Sequence, residues 1–269
     1  MAPSLPLPAV IRSVEQLSPV VKQLTLELHR RSPPGHWFRP GQWADFWFAA
    51  ENKYEIKDYL NYKGPVGGYT FTSNAGSAAD SVQFVIQAEK RPRGTSMTSW
   101  VHSDRCQPGV EIMLRPGGQW LVKPPTQEKK AVLVAAGIGI TPFLAFVRTF
   151  RDLTDVYSTT ELKYSVKKPE DALFLDELSQ ALPTTLFLTG LSDTEFRRAV
   201  AESVPSTVSA LRDGRMVVQD LIHGPRGGGK DAVYYLCGPP TFADEIAAGL
   251  REAGCQRVLY ENWWAPPTH

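Results

Sequence analysis

Ala131-Val132-Leu133-Val134-Ala135-Ala136-Gly137-Ile138-Gly139-Ile140-Thr141-Pro142-Phe143-Leu144 reads as a buried strand, a glycine turn and the start of a helix. The run Ala131 to Ala135 is small or apolar throughout, with Val132 and Val134 β-branched, which suits a central parallel strand covered on both faces. Gly137 and Gly139 permit a sharp turn and a close approach of backbone N–H groups to a ligand. Thr141 is placed to cap the helix and Pro142 to take its first position, where a missing donor costs nothing. A helix start reached through glycines is a seat for a pyrophosphate. Tyr234-Tyr235-Leu236-Cys237-Gly238-Pro239-Pro240 then repeats the order of strand, glycine, proline and helix.

Working outward, strands are expected at Ala131–Ala135, Leu162–Val166, Thr185–Thr189 and Val233–Cys237, with a last one near Arg257–Glu261. Helical stretches fall between them at Pro142–Leu153, Pro169–Leu182, Glu195–Glu202 and Thr241–Ala253. Alternation of this kind implies a parallel sheet covered on both faces, with ligands beyond the carboxyl ends of its strands. Gly137, Gly139, Thr141, Ser165, Cys237 and Gly238 therefore share one rim. The preceding half has a different rhythm. Val10–Val14, Val20–Leu28, Trp43–Phe48, Tyr69–Thr72, Val82–Glu89, Val110–Arg115 and Trp120–Val122 read as short strands, with turns at Pro33-Pro34-Gly35 and Pro40-Gly41. One short helix fits within Gly94–His102. Many short antiparallel strands argue a small closed or partly closed β-barrel. The fold class is thus α+β in two domains: an N-terminal antiparallel β-barrel over residues 1–127, then an α/β parallel-sheet nucleotide-binding domain over residues 128–269.

Composition narrows the function classes. A formal net charge of +1 supplies no electrostatic reason for a nucleic-acid or anionic-membrane partner. Cys106, Cys237 and Cys255 are an odd count without paired spacing, which argues against a disulfide framework. The five histidines form no HExxH and no Cys/His cluster, so no metal site is expected. The longest apolar run, Ala131 to Val147, is interrupted by Gly137, Gly139, Thr141 and Pro142, as in a buried strand plus helix rather than a membrane span. Met1 to Val14 has one Arg and little Ser, a poor transit peptide without a secretory signature; the compartment stays open between cytoplasm and mitochondrion.

A barrel followed by a nucleotide-type α/β domain resembles the ferredoxin–NADP reductase superfamily. The motifs run in its order: Pro40-Gly41-Gln42-Trp43 is similar to the family's Pro-Gly-Gln-aromatic strand, and Tyr69-Thr70-Phe71-Thr72-Ser73 to the tail of its Arg-x-Tyr-Ser-x-x-Ser flavin motif. Gly94 through Ser99-Trp100-Val101-His102 resembles the glycine-led helix that approaches the flavin diphosphate, and Gly117-Gly118-Gln119-Trp120 the strand that closes the barrel. Ala136-Gly137-Ile138-Gly139-Ile140-Thr141-Pro142 and Cys237-Gly238-Pro239-Pro240 resemble the two nicotinamide-dinucleotide motifs. The nearest likeness is to the oxidoreductase NAD-binding domain-containing subgroup, which shares the Gly-Gly-aromatic start, the Trp-Val-His triplet and a Glu-x-Trp-Trp end.

The resemblance implies a flavin-dependent NAD(P)H oxidoreductase, an FAD-binding barrel of flavin-reductase type, and electrons passed to an unidentified acceptor. It makes Tyr69 the ring that packs on the flavin and Thr70 the hydroxyl near the reactive nitrogen, with Ser73 in the same motif. It makes Gly137, Gly139, Ile140, Thr141, Pro142, Ser165, Gly238 and Pro239 nucleotide contacts, Cys237 the nicotinamide neighbour, Glu261 the C-terminal acid that sets nicotinamide geometry, and Trp263 the aromatic cover of the flavin. A tail anchor accounts for Trp263 and Trp264 as well, and a barrel-core residue for Tyr69. NAD versus NADP stays open: Lys167 and Lys168 favour a 2′-phosphate or simply line a solvated turn. Oligomeric state is not encoded in any motif.

One departure stands out. The motif's arginine falls at Gly67, which removes a bidentate partner for the flavin diphosphate. Thr95, Ser96 and Thr98 are the candidate replacements as phosphate contacts, with Lys90, Arg91 and Arg93 beside them or merely forming a basic turn. Replacing Gly67 with Arg is expected to tighten flavin binding. The rival reading is a nucleotide-binding protein without catalysis that keeps the fold and binds flavin weakly or not at all. Gly224-Pro225-Arg226-Gly227-Gly228-Gly229-Lys230 has the spacing of a P-loop, but Asp231 follows in place of Ser or Thr and a strand in place of a helix, so it reads as a loop.

Overall fold

The computed structural model of the chain describes residues 6–29, 37–48, 63–76, 80–90, 95–125, 130–153, 158–224 and 227–261. Pro33-Pro34-Gly35, Arg91, Arg93, Gly94, Trp263 and Trp264 lie outside these residues. The chain divides into two compact units, Met1–Leu121 and Val122–His269.

The first unit is a six-stranded antiparallel sheet made of β1 (Leu7–Ser18), β2 (Val21–Leu28), β3 (Trp43–Trp47), β4 (Gly67–Thr70), β5 (Ser81–Gln87) and β6 (Glu111–Gly117), in the order β4-β3-β6-β1-β2-β5. Its two outer strands meet. Phe71 bridges to Phe84, the Thr72 N–H donates to the Gln83 carbonyl at 2.9 Å, and the Gln83 N–H donates to the Ser73 hydroxyl at 2.9 Å. The sheet thereby curls into the expected barrel, and inward alternation fills it. Ile11, Leu24, Leu26, Phe46, Phe71, Phe84, Ile112 and Leu114 are fully buried together. Phe38 stacks on Phe71 at 4.1 Å, while Phe46 meets Phe84 edge-on at 4.7 Å.

The short helix expected near Trp100 is α1 (Met97–Val101), whose Met97, Trp100 and Val101 join the barrel core. Five residues cannot hold a helix alone. Packing and polar ties supply the rest: the Lys22 ammonium donates to the Val101 carbonyl at 3.1 Å, and the His102 ring pairs through Nε2 with the Ile86 carbonyl at 3.1 Å. Trp120–Val122 forms no strand; the barrel is closed by β4 and β5 instead, so this segment has no edge left to join.

The second unit is an all-parallel sheet of β7 (Ala131–Ala136), β8 (Thr160–Val166), β9 (Thr184–Leu188), β10 (Ala210–Asp213), β11 (Val233–Cys237) and β12 (Arg257–Leu259), ordered β10-β9-β8-β7-β11-β12. Helix α2 (Thr141–Phe150) follows β7, α3 (Leu175–Ala181) follows β8, α4 (Asp193–Glu202) follows β9, α5 (Val218–Ile222) follows β10 and α6 (Pro240–Glu252) follows β11. Val132, Val134, Tyr234 and Leu236 face a core shared with Leu221 and Ile222 of α5 and with Ile246, Ala247 and Leu250 of α6.

One expected helix is divided, and two elements stand where none was expected. The stretch Pro169–Leu182 is not one helix: a 3-10 turn at Pro169–Asp171 is separated from α3 by Phe174, which adopts φ 57°. A non-glycine residue is held there at a cost of about 1–2 kcal/mol, and the Arg148 guanidinium lies 5.3 Å over its ring while pairing twice with Glu177 at 2.8 Å. Strand β10 and helix α5 were not legible: Ala-Leu-Arg-Asp is a half-polar edge strand, and Val-Gln-Asp-Leu-Ile is too short for a helical period to show.

Candidate functional site

From β7 the chain moves outward through β8, β9 and β10, then returns to set β11 on the other side of β7. The β7/β11 boundary is thus the topological switch point, where a crevice opens beyond the carboxyl ends of the strands. Both glycine-led turns leave the sheet here, since Ala135 pairs with Cys237 and Ala136 with Ser165. Gly137 takes φ 55° and starts a 3-10 turn, Gly137–Ile140, that leads into α2. Gly139 is pressed against the other turn: a Cβ there would strike the Cys237 carbonyl oxygen, with the Cys237 carbon at 2.5 Å and the Gly238 nitrogen at 2.7 Å. The two motifs are therefore walls of one crevice. Gly238 is equally confined, between the Ala136 Cβ and the Phe242 ring, both 2.9 Å from its virtual Cβ.

The helix begins one residue earlier than the sequence suggests. Thr141 is the first helical residue and Pro142 the second; the Thr141 hydroxyl donates to the Ile138 carbonyl at 3.1 Å rather than capping α2. The 3-10 turn causes the shift, by using Ile140 as the entry residue. Pro239 precedes α6 and Pro240 opens it, so proline's fixed φ serves this second helix start too.

Cys237 lies on the rim, partly exposed but enclosed by enough protein that burial, reinforced by the Glu261 carboxylate, pushes its thiol up to about 12. It stays a neutral thiol at ordinary pH, suited to packing rather than to nucleophilic attack. A nicotinamide dinucleotide fits this rim: glycines that no side chain could replace, a helix start, and a small uncharged sulfur beside an acid.

The barrel residues are arranged less simply. Tyr69 and Thr70 sit partly exposed on β4. The Tyr69 ring meets Phe46 edge-on at 4.8 Å, its hydroxyl bonds the Thr98 hydroxyl at 3.0 Å, and burial raises the phenol to about 12. Gly67 is covered by this ring: a Cβ would strike the Tyr69 hydroxyl, with Tyr69 Cζ at 2.7 Å and Met97 Cβ at 2.9 Å. A side chain at position 67 therefore requires the Tyr69 ring and Met97 Cβ to shift.

At the start of α1 the Ser96 hydroxyl accepts from the Ser99 N–H at 3.0 Å and donates to the Glu89 carboxylate at 3.0 Å, and the Ser99 hydroxyl reaches the same oxygen at 3.4 Å. Thr95 is exposed, and Lys90 is exposed next to Glu89. The Ser96 and Ser99 hydroxyls are thus turned to Glu89, and position 67 carries no guanidinium; the ring end of the motif, Tyr69 and Thr70, keeps its residue types. Glu89 was missed in the sequence because it lies at the end of a strand pattern, where an acid ordinarily faces water.

Lys168 is exposed and only 4.0 Å from Glu170, so it is a surface cation near the carboxyl end of β8. In the Gly224–Lys230 segment the Gly228 N–H donates to the Leu221 carbonyl at 2.9 Å, and its virtual Cβ would lie 2.6 Å from Val132 Cγ2, so Gly228 packs onto the sheet. Among the described residues no group of His, Cys, Asp and Glu is placed to hold a metal ion, and no helix is long and apolar enough to cross a membrane.

Comparison with known proteins agrees with this geometry. Residues 133–248 match the family model of the oxidoreductase NAD-binding domain. The oxidoreductase NAD-binding domain-containing protein 1 of Bos taurus is 24% identical over 95% of this chain and 80% of its own length. The reductase component of propane 2-monooxygenase from Rhodococcus jostii is 25% identical over 97% of this chain and 65% of its own. In three dimensions the flavohem-like FAD/NAD-binding domain of nitric oxide dioxygenase from Vibrio cholerae superposes with a TM-score of 0.69 at 20% identity, covering 94% of this chain and 97% of that domain. Residues 133–248 thus match the oxidoreductase NAD-binding domain, and the chain has the fold of the Vibrio cholerae FAD/NAD-binding domain.

Proposed function

We propose that the chain is an NAD(P)H-dependent oxidoreductase of flavin-reductase type, passing a hydride from NAD(P)H to a flavin and electrons onward to a separate acceptor. The observation that carries this reading is the switch-point crevice, in which the Gly139 turn and the Cys237-Gly238 backbone press together as one wall. The nicotinamide dinucleotide, when bound, supplies the hydride. The chain's residues bind and orient it. Gly137, Gly139 and Ile140 bring backbone N–H groups to the diphosphate, Thr141 and Pro142 start the helix behind it, and Ser165 lines the adjoining strand end. Cys237, Glu261, Gly238 and Pro239 set the nicotinamide ring. On the barrel, Tyr69 and Thr70 offer an aromatic edge and a hydroxyl to a flavin ring, and Ser73 holds the adjoining closure. A separate acceptor follows the division of labour of the Rhodococcus relative, which is named as the reductase component of a monooxygenase.

The engaged hydroxyls at Glu89 favour a second reading, nucleotide binding without catalysis. A visible spectrum of the protein mixed with flavin, before and after NADH addition under nitrogen, separates the two. Bleaching of the flavin band is the expected result; NADH binding with an unchanged flavin band would establish the second reading instead.

A further inference from the structure

The Tyr69 side chain is met on three sides, each by a different element of the barrel unit. Phe46 of β3 meets its ring edge-on at 4.8 Å. Gly67, two residues earlier on the same face of β4, leaves the space in which the hydroxyl end lies: a Cβ there would fall 2.7 Å from Tyr69 Cζ and would strike the hydroxyl. The third side is Thr98 of α1, whose hydroxyl lies 3.0 Å from the phenol oxygen. Thr98 is itself held. Its neighbours Met97, Trp100 and Val101 are buried in the barrel core, Trp100 meets Phe48 edge-on at 4.8 Å, and the Thr98 carbonyl accepts from the His102 N–H at 3.1 Å. The hydroxyl that meets Tyr69 is thus presented from a packed element. A ring placed in this way has little freedom left to lose when a ligand arrives, which is how preorganisation raises affinity. The phenol, pushed up to about 12 by burial, keeps its proton and can donate.

We propose that Thr98 is a positioning residue that sets Tyr69, through their paired hydroxyls, for contact with a flavin ring, and that Gly67 supplies the room this placement needs. This role rests on the flavin reading above and deepens it by naming what aims the ring-contacting residue. The sequence offers the Thr98 hydroxyl as a phosphate contact, whereas in the fold it meets the phenol. The two roles part in one respect. A hydroxyl that acts through Tyr69 matters only while the phenol oxygen is present; one that meets a phosphate matters regardless.

The test is a double-mutant cycle on flavin affinity. FAD fluorescence is titrated with the full chain, with Thr98→Val, with Tyr69→Phe and with both changes together, NADH binding and melting temperature being measured on the same samples. Each single change is expected to weaken FAD binding by about three- to tenfold, the span of one net hydrogen bond. The double change is expected to lose no more than Tyr69→Phe alone, and Thr98→Ser, which keeps the hydroxyl, to bind FAD as wild type does. Gly67→Ala leaves both hydroxyls in the chain and is expected to weaken FAD binding by displacing the phenol. Should Thr98→Val fold poorly, Thr98→Ala closes the same cycle. Losses that multiply in the double change show that Thr98 meets the ligand directly and overturn the positioning role. A lowered melting temperature with FAD affinity unchanged in either single change marks a structural tie alone and overturns it too. Wild type that binds NADH but no FAD overturns the flavin reading itself.

Discussion

At the scale of single residues, two glycines stand out because a Cβ on either would meet backbone or an aromatic ring. Gly139 faces the Cys237 carbonyl, so Gly139→Ala must push the two turns apart. We expect a loss of about 1–3 kcal/mol in stability, the usual cost of forced overpacking, and at least about tenfold weaker NADH binding; urea denaturation and NADH fluorescence check both. Gly67 faces Tyr69 and Met97. Gly67→Arg is expected to lower the melting temperature without improving FAD affinity. A stable variant that binds FAD more tightly would show that Tyr69 swings aside, and would restore the role of the family's arginine at this position.

At the scale of elements, short pieces depend on polar ties made elsewhere. Helix α1 is held at its carbonyl end by Lys22 and at His102 by the Ile86 carbonyl. Burial, with the nearby Lys22 ammonium, pushes the His102 imidazole below its usual value, so the folded state prefers it neutral. Its contribution is full above the ordinary value of about 6.5 and is lost as pH falls through the lowered folded value. The melting temperature of the barrel unit is therefore expected to fall between neutral and mildly acid pH, and His102→Gln, which keeps a donor for Ile86 but cannot titrate here, to flatten that slope.

Strand β8 carries the other dependence. Lys163 is 1% exposed and Glu161 7%, 3.2 Å apart, with the Thr185 hydroxyl 3.2 Å from the ammonium. Lys163→Met leaves a buried carboxylate without its cation and should cost about 3–5 kcal/mol, whereas the double change Lys163→Met with Glu161→Leu should be close to neutral. Equal losses in the two would show that the pair is not the source of the cost.

At the scale of the whole molecule, the two units differ in architecture: a curled antiparallel sheet whose outer strands meet, and a parallel sheet with a switch point. A ligand that binds only the folded chain stabilises it by about 2.7 kcal/mol at a hundredfold excess over its Kd. NADH is expected to do so, with hydrogen-exchange protection gained at Gly137–Thr141 and at Cys237 and Gly238, and none at β4 or β5. Protection confined to the barrel would refute the placement of the nucleotide.

Much of this was legible in the chain because it is local. The small, β-branched run before Gly137-Ile138-Gly139 and the Cys237-Gly238-Pro239-Pro240 turn determine strand, turn and helix start by their own backbone preferences, and strand alternation determines the barrel. Strand β10, helix α5 and the break at Phe174 were hidden, since an edge strand, a five-residue helix and a left-handed phenylalanine are stabilised by neighbours rather than by their own pattern. The sequence by itself determined two units, a glycine-led rim at the strand ends and the glycine at position 67. Only the tertiary structure decided that Gly139 abuts Cys237, that Tyr69 lies over Gly67, and that Glu89 holds the hydroxyls of Ser96 and Ser99. The physical reason is distance: steric exclusion and hydrogen bonding act over a few ångströms, between residues that the chain keeps apart and the fold brings into contact.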